Sequence, residues 1–174
     1  MPRRHSDSQE FSRFIEADSV GAQPIERRIS ANAEERAALA RRFDLQAIDR
    51  LEADFTLRRA GNGVIHVRGT VRGEVVQSCV VTLEPVPARI EDEFAADFAA
   101  ETDHPAEDEE IDFEAADPPE PIRNGHIDLG ELAAEHLSLA LDPYPRAPGA
   151  RLAQGPAPDE SENRPVNPFS ILKK

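Results

Sequence analysis

The sequence predicts an α+β fold: an antiparallel β-sheet of about four to five strands covered by two amphipathic helices, with an acidic loop and a disordered C-terminal tail. Three observations predict it. Residues 51–57 and 65–72 alternate apolar and polar side chains on either side of Gly61-Asn62-Gly63, the pattern of a hairpin with one wet face. Two other stretches, 33–43 and 128–141, change to three- and four-residue apolar spacing behind helix-capping residues. Residues 101–121 and 147–174 are acidic or proline-rich and lack sustained periodicity.

The elements follow in order. Residues 1–10 read as a flexible N-terminus, and their two arginines precede no apolar run, so no secretory signal is expected there. A single domain is expected over residues 11–146. It opens with loose alternation through Phe14, Ile15, Val20, Ile25 and Ile29, bent by Gly21 and Pro24 into an edge strand or ordered arm. Asn32 with Glu35 three residues on is a capping box, and Arg36, Leu39, Ala40 and Phe43 share one helical face. In the hairpin, Leu51, Ala53, Phe55 and Leu57 oppose Glu52, Asp54, Thr56 and Arg58. Ile65, Val67, Gly69 and Val71 likewise point in, and His66, Arg68, Thr70 and Arg72 point out.

Residues 73–86, GEVVQSCVVTLEPV, gather Val75, Val76, Val80, Val81 and Leu83 around Cys79 between Gly73 and the Pro85/Pro87 pair. They read as a largely buried strand. Ile90, Phe94, Ala96 and Phe98 share a parity and predict a further strand, interrupted by Asp92. The acidic flexible loop, 101–121, follows within the domain. Asp128 and Glu131 then form a second capping-box pattern, and Leu129, Leu132, Ala133, His136, Leu137 and Ala140 make an apolar stripe that Pro143 and Pro145 end. The Pro-rich tail closes on Phe169, Ile171 and Leu172 before Lys173 and Lys174, a small apolar group suited to docking on the domain or on a partner.

The totals narrow the function classes. No apolar run approaches the roughly 20 residues of a membrane span, so a soluble cytoplasmic protein is expected. One cysteine can make neither an internal disulfide nor a Cys-only metal site. The net charge of −14 comes from one segment: residues 91–121 hold 14 acids and no Lys or Arg, and the rest is balanced. Residues 27–72 carry ten arginines against six acids, and lysine occurs only at 173 and 174.

Catalytic readings fare poorly. A nucleophilic thiol needs a base and an electropositive setting, and Cys79 has no histidine near it in sequence, so it reads as a core cysteine. His104 beside Asp103 and Glu107, and His126 with Asp128, have none of the spacings of known metal or acid–base motifs. His136 lies on the helix stripe, as a hydrogen-bonded residue at the core edge. Gly61, Gly63, Gly69 and Gly73 sit in a turn and a strand and do not form a phosphate loop. No catalytic residue, metal or cofactor is expected, and the chain does not read as an enzyme.

Two binding readings remain. Arg58, Arg68 and Arg72 share the outward face of the hairpin, and Arg41 and Arg42 end the preceding helix; converging, these five would neutralise RNA phosphates. The alternative is a solvated face paired with Glu52, Asp54 and Glu74. The acids Glu107, Asp108, Glu109, Glu110, Asp112 and Glu114 admit three readings: a solubilising loop, a binding site for a basic protein, or a cover over the arginines that RNA displaces.

The chain also resembles a known family. An ER-A-LA helix (Glu35 to Ala40) is followed by a strand pair and the G-x-V-x-x-S-C-V-V-T-L-E-P-V phrase. A phenylalanine-bearing strand and an acidic stretch come next, then I-D-L-x-E-L, Glu135 and L-x-L-A-L-x-P-x-P. In this order the features resemble the bacterial YceD family, the large ribosomal RNA subunit accumulation proteins, across about residues 11–145. Gly73, Cys79, Thr82, Leu83, Glu84, Pro85, Asp128, Leu129 and Glu135 carry the signature. The NPF-type ending resembles the alphaproteobacterial branch. Many relatives have C-x-x-C here; this chain has Val76 and Thr82 at the flanking positions, so no metal role transfers. The resemblance implies a non-catalytic part in large ribosomal subunit biogenesis that supports 23S rRNA accumulation. Taken with the residue readings above, the expected partner is rRNA through the arginine face or, alternatively, a basic large-subunit ribosomal protein, with no membrane or DNA. It brings no catalytic residues and leaves the oligomeric state open.

Overall fold

Most of the chain's order comes from three long strands that alternate buried and exposed side chains, with a register shift between Ile48 and Arg50 in the first. In the computed structural model, which describes residues 10–100 and 118–151, these are β3 (Ala47–Arg59), β4 (Ile65–Ser78) and β5 (Pro85–Ala100). Before them come β1 (Phe14–Glu16), a 3-10 turn (Ala17–Ser19), β2 (Ile25–Ser30) and α1 (Ala33–Arg42). After them come β6 (Glu120–Ile122), β7 (His126–Asp128) and α2 (Leu129–Leu139). The fold is α+β, with a five-stranded sheet ordered β2-β3-β4-β5-β6 and a separate β1-β7 pair. All pairings are antiparallel except β5 with β6.

The register explains the burial. Phe55, Gly69 and Phe94 lie opposite one another across β3, β4 and β5, as do Leu57, Val67 and Ala96. Strand period two then places Leu51, Ala53, Phe55, Leu57, Ile65, Val67, Val71 and Val75 on one buried face. Helix α2 lies on that face: Leu137 is fully buried, and a Cβ on Gly73 would come within 2.7 Å of its Cδ1. Gly69 leaves room for the Phe94 ring, which any Cβ there would overlap. Asp92, which interrupts the apolar parity of β5, meets His136 of α2 at 3.6 Å, and the imidazole stacks on Phe94 at 3.7 Å. Each polar residue on an apolar row therefore has the other as its partner.

Both helix starts are capped. Asn32 Oδ1 accepts from the Glu34 and Glu35 amides, and Glu35 accepts from the Asn32 amide, completing the box. At α2 only half of the expected box forms. Asp128 Oδ1 accepts from Gly130 and Glu131, but the Glu131 carboxylate turns to Arg42 instead. Arg13, which sequence reasoning passed over, joins the two helix starts. Its guanidinium holds Glu35 through two bonds of 2.8 and 2.9 Å, and its amide donates to Asp128 Oδ1 at 2.7 Å.

Three expectations need correction. Residues 73–86 are not one buried strand. Residues up to Ser78 continue β4 without a break, and Cys79 to Glu84 form the turn into β5, leaving Val80 and Leu83 exposed. Hydrophobic composition suggested a strand, whereas the positive φ of Leu83 belongs to a turn, and Pro85 and Pro87 open β5 instead of closing a strand. The expected single arm over 11–29 is split by the 3-10 turn into β1 and β2, which join different sheets. The expected loop over 101–121 ends in a strand at Glu120, and its remainder, residues 101–117, lies outside the described residues, as do 1–9 and 152–174.

Candidate functional site

The five candidate arginines do not converge. Arg58, Arg68 and Arg72 project from the wet face of β3 and β4, whereas Arg41 and Arg42 end α1, on the opposite face of the sheet. Arg42 is engaged with Glu131 at 2.6 and 2.9 Å and with Glu10 at 3.4 Å, tying α1 to α2. Its pKa is raised by the Glu131 hydrogen bond. Arg72 lies between Asp54 and Glu91, 2.8 Å from each. Its pKa is raised first by Glu91 and then by Asp54.

The same pattern covers the wet face. Arg28 meets Asp54, Arg50 meets Glu52, Arg89 meets Glu74 and His66 meets Asp97, mostly between facing strands. Asp54 is held below the usual carboxylate range chiefly by its bond from Arg28, and Glu52 by its bond from Arg50. Among the described residues only Arg41, Arg58 and Arg68 of the five candidates lack an ion pair. Thr56 faces Arg68 and Arg58 faces His66, so Arg58 and Arg68 are diagonal neighbours. The remaining arginines nearby serve the fold: Arg36 donates to the Ala31 and Ile48 carbonyls, and Arg59 to those of Ala17 and Val20.

The signature residues separate into two ends of the domain. At one end lies the β4–β5 turn, where Cys79 is fully buried. Its Sγ accepts from the Val81 and Thr82 amides, each at 3.4 Å. Hydrogen bonding from the Ala147 amide and the Thr82 side chain, opposed by burial, lowers the thiol pKa to about 7. Amide donors around the sulfur were invisible to sequence reasoning, because they arise from turn geometry. Thr82 also donates to Glu84, whose carbonyl accepts from the Cys79 amide, and Val80 donates to Pro145. Leu83, at φ +62°, is 75% exposed, and Tyr144 is also exposed.

At the other end, Asp128 and Glu135 line a groove of about 680 Å³ between the first half of α2, β6, β7 and the exposed ring of Phe14. Phe98, Pro121 and Leu132 supply apolar wall, and Glu120, Glu131, Glu135 and Arg123 supply charge. Asp128 Oδ2 is buried and has no hydrogen-bond partner among the described residues. Leu129 is buried beneath the helix start. His126 stands edge-on to Phe14 and reaches the Asn124 carbonyl through Nδ1. Among the described residues no group of three or more His, Cys, Asp or Glu is placed to hold a metal ion. His104 and the acids Glu107, Asp108, Glu109, Glu110, Asp112 and Glu114 lie outside the described residues.

What these surfaces define is a small α+β protein that offers partners an ion-paired sheet face, an exposed apolar turn and an acidic, apolar-walled groove. The family model described as large ribosomal RNA subunit accumulation protein YceD matches residues 67–174, well over half of the chain, and the chain belongs to that family. The match takes in both ends of the domain, the Cys79 turn and the start of α2. No curated protein and no solved structure matches the chain. The family description places the chain in accumulation of large-subunit ribosomal RNA. No helix among the described residues is long and apolar enough to cross a membrane.

Proposed function

We propose that the chain acts without catalysis in large ribosomal subunit biogenesis, supporting 23S rRNA accumulation in the cytoplasm, and that its direct contact is a basic ribosomal-protein segment. The observation that carries this reading is the fate of the charges. Carboxylates already neutralise Arg42 and Arg72, so two of the five expected RNA contacts are unavailable. Glu120 and Glu135, in contrast, stand on the groove without an ion pair among the described residues. The acids Glu107 to Glu114 add to the same side of the balance. Holding a basic segment until rRNA competes for it would support rRNA accumulation with no RNA contact by this chain. The test is capture of partners from lysate with and without nuclease. A basic large-subunit protein retained after nuclease, and lost on removal of residues 101–117, is the expected result; release of everything by nuclease overturns it.

A second reading, direct rRNA binding, is favoured by one observation: Arg58 and Arg68 are exposed, adjacent and unpaired among the described residues. Two phosphate contacts give a salt slope of only about −1.4 to −1.8, so such binding would weaken roughly tenfold between 50 and 200 mM salt.

A further inference from the structure

We propose that the groove beside α2 is filled by this chain's own segment 168–174, PFSILKK. The groove combines two features that a matching ligand must satisfy together. Its walls include Phe14, 65% exposed, beside the largely buried Phe98 and Leu132, and its rim carries Glu120 and Glu135 against a single Arg123. Neither glutamate has an ion-pair partner among the described residues. Segment 168–174 has the complementary pattern within seven residues. Phe169, Ile171 and Leu172 are followed directly by Lys173 and Lys174, the only lysines in the chain. Apolar side chains would cover the Phe14–Phe98–Leu132 wall while the two ammonium groups reach the glutamate rim.

The tether permits it. Phe169 lies 18 residues beyond Arg151 (169 − 151), the last described position. Eighteen residues span at most about 60 Å, against a diameter of roughly 40 Å for a domain of this size. Because the segment belongs to the same chain, its docking is intramolecular. The consequence is regulatory: any basic segment that enters the groove must displace the chain's own.

The test uses the two lysines. A water-soluble carbodiimide joins an amine to a carboxylate with loss of water, so a lysine cross-link in the full-length protein reports where segment 168–174 rests. The expected product joins Lys173 or Lys174 to Glu120 or Glu135 within one chain, as shown by mixing ¹⁵N-labelled and unlabelled protein. Its yield should fall about tenfold or more in F169A/L172A, which removes apolar contact and keeps both lysines. Cross-links made chiefly to Glu91, Glu93, Glu84 or the acids of 107–114, cross-links between chains, or a yield unchanged in F169A/L172A would each overturn the proposal. A separate titration of isolated basic large-subunit proteins into the chain lacking 168–174 tests the reading under Proposed function. Binding there without the cross-link, or the cross-link without binding, tells which of the two has failed.

Discussion

Replacing Gly69 with alanine tests the central packing of the domain. Gly69 sits in the middle strand, in register with Phe55 of β3 on one side and Phe94 of β5 on the other, so its backbone has little freedom to retreat. A methyl group there overlaps the outer atoms of the Phe94 ring. The ring must swing away, giving up its stack on His136 at 3.7 Å and its edge contact with Phe55 at 5.9 Å. Aromatic contacts are worth about 0.5–1.5 kcal/mol each. Relief of the glycine entropy cost returns roughly 0.5–1 kcal/mol. The balance is a loss of about 1–2 kcal/mol, or a fall in Tm of roughly 3–8 °C. The assay is thermal and urea unfolding of G69A, F94A and the double variant, with G61A as control because nothing lies within 4 Å of a Cβ there. With Phe94 truncated, the methyl at position 69 should be neutral or stabilising, a coupling of at least about 1 kcal/mol. A G69A variant as stable as the parent, or an equal penalty in both backgrounds, refutes the packing argument.

Four further outcomes are expected. Asp128→Ala strips the α2 cap and the acceptor of the Arg13 amide, costing about 2 kcal/mol, seen as a lower urea midpoint; Asp128→Asn should lose much less. Glu35 is held below the usual carboxylate range, first by its bond from Arg13, so its contribution is present above the ordinary glutamate pKa and is lost as pH falls through the lowered one. Unfolding midpoints followed from pH 6 to 3 should therefore fall less steeply in E35Q. The Cys79 thiolate should appear by ultraviolet absorbance with a midpoint near pH 7 in the folded chain and, in denaturant, near the usual thiol value. Because the unfolded state holds the proton longer, stability should rise from about pH 7 to 9, and Cys79→Ala should abolish that rise. Finally, R58E/R68E should abolish RNA retention if the second reading holds and leave ribosomal-protein capture unchanged if the first does.

Much of the architecture was legible because it is written in local periods. Strand alternation identified the buried rows of β3 and β4, and the caps at Asn32 and Asp128 located both helix starts to within a residue. The turn after Ser78 was not legible, because Val80, Val81 and Leu83 look like strand residues until Cys79 gathers the Val81 and Thr82 amides on its sulfur and the Leu83 amide on its carbonyl. The parallel strand β6 was missed for a related reason: three residues, two of them Glu and Pro, carry no period at all. Phe14 was noted only as part of an edge arm, and no sequence signal linked it to α2.

The sequence by itself determined the wet and buried faces of the hairpin, the concentration of acid in one segment and the family's signature phrases, since each depends on neighbours in the chain. Only the tertiary structure decided what the charges do. Whether Arg42 is free or bound depends on Glu131, 89 residues away, and Asp92 and His136 answer each other across the sheet–helix interface. Side-chain charge is a property of a residue, but its availability to a partner depends on what the fold sets within about 4 Å of it.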